Sequence, residues 1–560
     1  APLLSRWYGA PGGRAPLWLY AVSNVGSLAG LLGYPLVIEP NLDHVRQLEL
    51  FRGTFVAYVA ACALCALGAW SWRAGDTRAR HATRSSVRAP LRRKLSWCAL
   101  SASSSTLLCS VSQHLTTDLA PSPILWVLPL ALYLLSFVLA FSRAPYLPRL
   151  WAGLWIACTV ALPILILPGN HAPLAVTLAV PLVTLVVGSM LMHHELAQEA
   201  PEPELLTTFY VCIAAGGAFG GLLVSLAAPL LLTDFYELPL SMLAVHTLFF
   251  VRALASRSKH GEAPSGQARL SWLGFGLAWP VLCAVMLAMH TGYGRTERIV
   301  ARSRSFYGPL TVADMKGRRV LLHGRTEHGA ELRDPSRAHE PIGYFGTETA
   351  LGRALRLHRQ GHARNLAVVG LGVGTMAAYA KERDSLTFYE LDPTVERFAR
   401  EHFSYLKRAQ GELSVHIGDG RLALAELART RPRSLDVLVL DAFASDAVPT
   451  HLLTREAFAV YARTLRPDGV LLANVSNRYL RVERVVLASA RENELASVFL
   501  ETRGDAKRGL SRVRWAALAE DPRALEGLMG PETTRVSVRD PLLFEDGRAS
   551  LWALARGGSL

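Results

Sequence analysis

A glycine-rich turn and an acidic residue twenty positions after its start are the first groups in this chain whose spacing suggests chemistry. The apolar run 366–369 leads into Gly370, Gly372 and Gly374, and the next apolar run ends at Glu390. Glycines let the backbone turn tightly and let a ligand approach it closely. In a nucleotide-binding α/β fold, an acid at the position of Glu390 binds ribose hydroxyls. The alternative is that Glu390 is a solvated acid at a strand end.

Two more acids come after predicted strands in the same way. Asp419 follows the strand 415–417 within the turn Gly418-Asp419-Gly420, and Asp441 follows the strand 436–440. Ligands of such sheets bind outside the carboxyl ends of the strands, so we expect the three acids to meet there. Asp419 could accept a hydrogen bond from an exocyclic adenine amine. NAD requires a longer glycine motif that holds a pyrophosphate, so a sulfonium nucleoside without phosphates fits three acids better.

The elements that position these residues belong to an α/β fold. Short Val/Leu runs alternate with amphipathic stretches, a pattern typical of a parallel sheet. We predict a small β-rich segment at 295–360. A doubly wound, Rossmann-like domain of the S-adenosylmethionine-dependent methyltransferase type follows at 361–560. Within it, the sequence predicts helices at 376–381 and 482–493 and a closing strand at 513–518.

The composition shows that another part of the chain lies in a membrane. The 560 residues are 51% hydrophobic and 19% charged, whereas about a quarter of a soluble domain is charged. A helix needs roughly 20 apolar residues to span a bilayer. We predict a multi-pass α-helical membrane domain at 1–294 with about eight to nine spans. The apolar runs lie at 17–38, 50–72, 95–115, 124–141, 150–167, 174–192, 205–232, 238–251 and 272–290.

The charge distribution predicts the orientation of this domain. The net charge is +14, and the stretch 73–94 carries many arginines and one acid, so the positive-inside rule makes this loop cytoplasmic. Nine spans would then place the C-terminal half outside, although the arginines at 295–304 favour a cytoplasmic entrance. One span must therefore be wrong, and the polar run 95–115 and the glycine-rich run 205–232 are the candidates. We expect an integral protein of the bacterial inner membrane with a cytoplasmic catalytic domain.

Other features exclude further classes of site. All seven cysteines lie in the apolar runs, so we expect no disulfide framework and no metal site. The basic residues lack the aromatic interleaving of a single-strand groove, so nucleic acid is not an expected partner. The chain opens on Ala1 without Met or a signal-peptide pattern, and we expect it to be incomplete at its N-terminus.

Several motifs in both halves of the chain occur together in one protein family. The C-terminal half contributes the glycine turn 370–375, the acidic motifs at 390–392 and 418–420, and the loop 441–446. The membrane half contributes Tyr-Ala-Val-Ser-Asn-Val-Gly-Ser at 20–27 and the motifs at 125–134, 194–196 and 216–221. With this set the chain resembles the membrane-fused spermidine synthase-like proteins of the aminopropyltransferase family.

The resemblance implies a reaction and a set of roles. In this family an amine attacks the carbon next to the sulfonium of decarboxylated S-adenosylmethionine, and 5′-methylthioadenosine leaves. The nucleoside, decarboxylated or not, is then a substrate, and no cofactor is tightly bound. The implied partners are the lipid bilayer, a cationic amine and a second copy of the chain. The implied nucleoside-binding residues are Gly370, Gly372, Gly374, Glu390 for ribose, Asp419 for adenine, and Gly420. The implied base is Asp441, with Asp446 as its partner.

The chain also departs from the family pattern. Four residues separate the two catalytic aspartates, whereas two separate them in the soluble members. The family's upstream Gln-containing strand and Tyr-His-Glu block are replaced by a region that contains His323, His328, Glu331 and Tyr344. These four could line a changed substrate pocket. His323, His328 and Glu331 could equally be polar residues on the surface of a β-hairpin.

Four hypotheses remain open from the sequence. The first is an aminopropyltransferase, and the second is an enzyme that cleaves the nucleoside intramolecularly without an amine acceptor. The third is a polyamine transporter whose soluble half senses a nucleoside, and the fourth is a methyltransferase, which the Asp441 loop disfavours. Polar residues within spans are functional candidates for the transporter: Asn24, Glu39, His114, Asp118, His193, His194 and Glu195.

Overall fold

A computed structural model describes most of the chain. The described residues are 18–42, 44–75, 88–118, 124–142, 145–166, 173–260, 276, 279–286, 297–324, 326–358, 361–442, 449–477, 480–505, 509–549 and 554. The chain packs as two units. The first comprises Ala1–Leu115, Pro123–Ala228 and Tyr236–Met289, and the second comprises Thr116–Ser122, Pro229–Phe235 and His290–Leu560.

The first unit is built from long helices. They are α1 (Trp18–Gly33), α2 (His44–Gly75), α3 (Leu91–Asp118), α4 (Ile124–Phe141), α5 (Pro148–Ile166), α6 (Leu174–Gln198), α7 (Leu206–Leu222) and α8 (Glu237–His260). A π-helical turn extends α1 at Tyr34–Ile38, and another extends α7 at Leu223–Ala227.

Among the described residues, five helices are long and apolar enough to cross a membrane. They are Trp18–Ile38, Val45–Gly68, Pro148–Leu165, Ala175–Gln198 and Pro203–Leu231, and the apolar helix Leu125–Phe141 is shorter. The predicted domain of apolar helices is therefore confirmed. The glycine-rich run that we suspected belongs to the five, whereas α3 and α8 do not. The run 272–290 lies largely outside the described residues.

The polar character of α3 has a structural use. Its serines Ser101 and Ser105 donate hydrogen bonds to backbone carbonyls of α7 at 2.7 and 2.8 Å. Gly216 of α7 allows this approach, because a Cβ there would clash with the backbone of Cys98 in α3. Small residues let helix backbones come close, and hydroxyls bond across the interface. The serines that lower the hydropathy of α3 therefore hold it against α7.

The second unit begins with a small antiparallel sheet. Its strands are β1 (Glu297–Ser305), β2 (Gly308–Met315), β3 (Arg318–His323) and β4 (Thr326–Leu332), paired in the order β1-β2-β3-β4. β3 and β4 form a hairpin in which His323 pairs with Thr326 at the turn end. The alternative of polar residues on the hairpin surface is wrong for His323 and Glu331, because both are buried.

An eight-stranded sheet follows. Its strands are β5 (Asn365–Val369), β6 (Ser385–Glu390), β7 (Glu412–Ile417), β8 (Leu435–Leu440), β9 (Leu465–Asn474), β10 (Ala496–Thr502), β11 (Val513–Ala519) and β12 (Thr533–Arg535). The order is β12-β10-β11-β9-β8-β5-β6-β7. β5 to β9 are parallel, and β11 closes this part antiparallel to β9. The chain reverses its direction of winding between β5 and β8, which is the doubly wound topology that we predicted.

Helices cover both faces of this sheet. They are α9 (Ala350–Leu357), α10 (Pro393–His402), α11 (Gly420–Thr430), α12 (Arg455–Thr464) and α13 (Glu483–Glu492). Alternate residues of β5 enter opposite cores: Leu366 and Val368 pack in one, and Ala367 and Val369 in the other. Because successive side chains of a strand point to opposite faces, a strand buried on both faces must be apolar throughout.

The helix predicted at 376–381 is wrong. A short 3₁₀ turn at Thr375–Tyr379 occupies this region, and the backbone is extended at Ala380. The carboxylate of Asp384 then accepts hydrogen bonds from the backbone N–H of Lys381 at 2.9 Å and of Arg364 at 2.9 Å. These bonds bring the chain directly into β6, so no long helix follows the glycine turn.

Candidate active site

A cavity of about 240 Å³ lies at the carboxyl ends of the parallel strands. It is lined by residues of the glycine turn, the ends of β6 to β8, the small sheet and the segment 449–452. It brings together most of the residues that the sequence singled out: Gly370, Gly372, Glu390, Asp419, Gly420, Asp441, His323, His328 and Tyr344.

Asp441 is a half-buried acid that lines this cavity. It follows β8 directly, and its backbone N–H donates to Val369 of the neighbouring strand at 2.9 Å. Asn474 Nδ2 donates to Asp441 Oδ1 at 2.9 Å, and the Tyr344 hydroxyl donates to the same carboxyl group. Burial raises the pKa of Asp441 to about 7, although both hydrogen bonds oppose the rise. An acid with a pKa near the working pH can act as a general base.

The glycine turn brings the backbone close to Asp441. Gly370 has a φ of +101°, and a Cβ there would clash with the backbone carbonyl of Asp441. Gly372 has a φ of +56°, and its Cβ would lie 2.5 Å from the carbonyl oxygen of His328. Residues with a Cβ rarely adopt such φ values. Glycine is therefore needed at both positions to form this wall of the cavity.

Glu390 holds the same turn from the end of β6. Its Oε2 accepts from the backbone N–H of Leu371 and its Oε1 from that of Asp392, each at 2.9 Å. Burial raises the pKa of Glu390, and these backbone hydrogen bonds oppose the rise. Each oxygen retains a further lone pair for a ligand hydroxyl. Glu390 thus shapes the turn in addition to facing the cavity.

Asp419 has two partners in the structure. Its Oδ1 caps α11 by accepting from the backbone N–H of Leu422 at 3.0 Å. Its Oδ2 lies 3.2 Å from Nε2 of His451, which also lines the cavity. An acid at the N-terminus of a helix satisfies N–H groups that have no partner within the helix. One oxygen of the carboxylate is therefore held by a hydrogen bond, and the other lies beside an imidazole.

The small sheet supplies two uncharged imidazoles. His323 Nε2 donates to the carbonyl oxygen of Tyr307 at 2.7 Å, and burial lowers the pKa of His323. Burial and the neighbouring His323 lower the pKa of His328 to about 3. The two rings lie 5.5 Å apart. Both histidines are thus neutral at pH 7, and they add hydrogen-bonding groups without adding charge.

Two predicted residues are placed elsewhere, and a third is not among the described residues. Glu331 does not line the cavity: it is buried, and its carboxylate accepts from the hydroxyl and the backbone N–H of Ser404. Gly374 does not line it either. It has a φ of +81°, and because it lacks a Cβ the chain can pass close to the side chain of Leu406. Asp446 lies outside the described residues. The role of Glu331 is therefore to hold the loop before Leu406 against β4, away from a substrate.

The sequence analysis missed four residues of the site or its support. Tyr307, Asp392 and His451 line the cavity, and Asn474 bonds Asp441. The position of Asn474 at the site could have been predicted, because it lies at the carboxyl end of an apolar strand, as the predicted acids lie at strand ends. The other three lie on turns whose course the strand pattern does not determine.

No family model matches the chain. A polyamine aminopropyltransferase of Vibrio vulnificus (strain CMCP6) is 30% identical over 205 residues, which are 35% of this chain and 65% of that protein. A probable polyamine aminopropyl transferase of Bifidobacterium longum (strain NCC 2705) is 27% identical over 118 residues, 20% of this chain and 25% of that protein. The chain has homologues among the polyamine aminopropyltransferases.

The chain thus spans 65% of the length of the first of these aminopropyltransferases. Among solved structures, a probable spermidine synthase of Corynebacterium glutamicum ATCC 13032 is 20% identical, with a TM-score of 0.32 over 40% of this chain and 79% of that one. The spermidine synthase of Thermotoga maritima is 14% identical, with a TM-score of 0.29 over 45% and 84%.

Proposed function

We propose that this protein is a membrane-bound aminopropyltransferase that uses decarboxylated S-adenosylmethionine. The observation that carries the proposal is the cavity in which Glu390, Asp419 and Asp441 meet at the ends of three parallel strands. Homology to polyamine aminopropyltransferases supports the same chemistry. The five apolar helices would attach the enzyme to a bilayer, and the basic loops favour a cytoplasmic catalytic unit.

The charge of the cavity suits a sulfonium nucleoside. Its described lining residues include the acids Glu390, Asp392, Asp419 and Asp441, and neither Arg nor Lys is among them. A cationic substrate would therefore meet negative charge in a partly desolvated site, where Coulomb attraction is strongest. Glu390 would accept from the ribose hydroxyls and Asp419 from the adenine amine.

Asp441 would then act as the base. An ammonium has no lone pair, so it must lose a proton before its nitrogen can attack. The nitrogen forms a bond to the carbon next to the sulfonium, and the carbon–sulfur bond breaks. Its electron pair neutralises the sulfur and yields 5′-methylthioadenosine, and the carboxylate takes the proton. The raised pKa of Asp441, about 7, makes it a stronger base than an exposed aspartate.

A second candidate is cleavage without an amine acceptor. Of the described residues that replace the family's acceptor block, those that line the cavity are His323, His328 and Tyr344, and none of them is an acid. The pKa of His328 is lowered to about 3. The nucleoside's own amino or carboxylate group could then attack intramolecularly and release the same thioether. Such a reaction depends on positioning more than on a second substrate site.

One assay separates these hypotheses. The full-length protein in detergent is incubated with S-adenosylmethionine or its decarboxylated form, with and without putrescine or spermidine, and 5′-methylthioadenosine is measured. Release that requires the amine supports the transferase. Release without the amine supports intramolecular cleavage. If neither occurs while proteoliposomes take up polyamine, the enzymatic proposal is wrong and the transporter hypothesis replaces it.

A further inference from the structure

The contact between His451 and Asp419 takes no part in the proton transfer or the bond exchange of the proposed reaction. His451 Nε2 lies 3.2 Å from Asp419 Oδ2, and both residues line the cavity. This is an ion-pair distance, and an imidazole N–H turned to the carboxylate oxygen would be the donor. The other oxygen, Oδ1, accepts from Leu422 at 3.0 Å in the helix cap. Rotation of the Asp419 carboxylate would lose either the cap or the contact with the imidazole.

The backbone of His451 is itself held in place. Its carbonyl oxygen accepts from Arg421 at 2.8 Å, and Arg421 binds both carboxylate oxygens of Asp546 at 2.7 Å. The hydroxyl of Thr454 donates to Asp546 at 2.7 Å. The carbonyl group of His451 and the hydroxyl of Thr454 thus share one network with α11, the helix that Asp419 caps. The backbone of His451 and the Asp419 carboxylate are consequently attached to the same end of this helix.

A carboxylate fixed in this way discriminates between purines. The 6-amino group of adenine donates hydrogen bonds, whereas the 6-oxo group of hypoxanthine is an acceptor that a carboxylate repels. In the tautomer with Nε2–H, Nδ1 of His451 is also an acceptor. A site built to bond a donor rejects an analogue that lacks it more strongly than an apolar pocket can.

We propose that His451 is a specificity-determining residue that holds Asp419 in the orientation that selects a 6-aminopurine nucleoside over its 6-oxo analogue. The inference rests on the proposed function, because it assumes that the cavity binds the nucleoside with its base at Asp419. His451 acts through Asp419 in this proposal, so its effect must depend on that carboxylate.

The test measures binding of 5′-methylthioadenosine and 5′-methylthioinosine to the full-length protein in detergent by calorimetry. The wild type should prefer the adenosine, and His451→Phe, which keeps a ring but removes the donor, should lower the preference about ten-fold. His451→Gln restores an N–H donor and should recover most of the preference. His339→Phe, an exposed histidine away from the cavity lining, is the control and should leave the preference unchanged.

The ratio of two affinities on one sample is independent of the fraction of misfolded protein. In an Asp419→Asn background, His451→Phe should have no further effect on the preference. An unchanged preference in the single variant, or an equal effect in that background, would overturn the role of His451 while leaving the nucleoside site intact. Failure of the wild type to bind either nucleoside would instead overturn the proposed function.

Discussion

Asn474 Nδ2 lies 2.9 Å from Asp441 Oδ1, so one hydrogen bond joins the last residue of β9 to the residue that follows the adjacent parallel strand β8. Leu440 of β8 pairs with Ala473 of β9, and this register places the next residue of each strand side by side. Desolvation raises the pKa of Asp441 to about 7, and the amide partly offsets it by stabilising the ionised form. The amide of Asn474 therefore lowers the pKa of Asp441 without adding a charge.

Replacing the base should abolish turnover while the nucleoside still binds. Asp441→Asn keeps the size of the side chain but removes its ability to take a proton, so turnover should fall by about 10²–10⁴-fold. Release of 5′-methylthioadenosine and its binding by calorimetry measure the two effects separately. Asp468→Asn, in the exposed turn within β9, is the matched control. Normal turnover of Asp441→Asn would exclude Asp441 as the base.

The Tyr344 hydroxyl should shift the pH dependence of the reaction by lowering the pKa of Asp441. The base works when deprotonated, so kcat/KM should rise with pH through the pKa of Asp441, about 7, and then level off. Tyr344→Phe removes a hydrogen bond that lowers this pKa, so the rising limb should move up by about one pH unit. Tyr405→Phe, whose hydroxyl bonds Ala330 and Glu340 instead, should leave the limb in place. A limb that moves down would contradict the assignment.

The close approach of the glycine turn to Asp441 can be tested with a matched pair of glycines. Gly370 and Gly361 have φ values of +101° and +80°, but a Cβ meets the Asp441 carbonyl at the first and nothing within 4 Å at the second. Gly361→Ala should cost about 1–2 kcal/mol from backbone strain alone. Gly370→Ala should lower the thermal midpoint further and also weaken nucleoside binding. Equal effects of the two substitutions would show that the contact is unimportant.

A buried ion pair precedes the first two strands of the large sheet, and it should contribute strongly to the free energy of unfolding of the second unit. The Arg364 and Asp384 side chains are 2% and 1% exposed, and Arg364 Nη2 lies 2.5 Å from Asp384 Oδ2. Asp384→Ala leaves a buried guanidinium without its carboxylate, which should cost about 3–5 kcal/mol. Glu520→Ala breaks the pair with Arg433, in which both side chains are 53% exposed, and should cost under about 1 kcal/mol. Thermal melting of the full chain compares the two, and similar midpoints would contradict the expectation.

The predicted site residues divide according to where they lie on the fold. Glu390 ends β6, and Asp419 and Asp441 come just after β7 and β8. Parallel strands end at the same edge of a sheet, so the meeting of these acids was predictable. Glu331 lies on a strand of the small hairpin, where residue type does not indicate which face is turned to the cavity. The structure turns its carboxylate to Ser404.

The apolar helices, the doubly wound sheet and the acids at its edge could be predicted from the sequence. They follow from the length of the apolar runs and from the alternation of strands and helices along the chain, which are local properties. The contacts of His451 with Asp419, of Tyr344 and Asn474 with Asp441, and of Arg364 with Asp384 became known only from the tertiary structure. Such contacts depend on the path of turns and on burial, because a side chain's partner and its pKa are set by whatever the fold brings within a few ångströms.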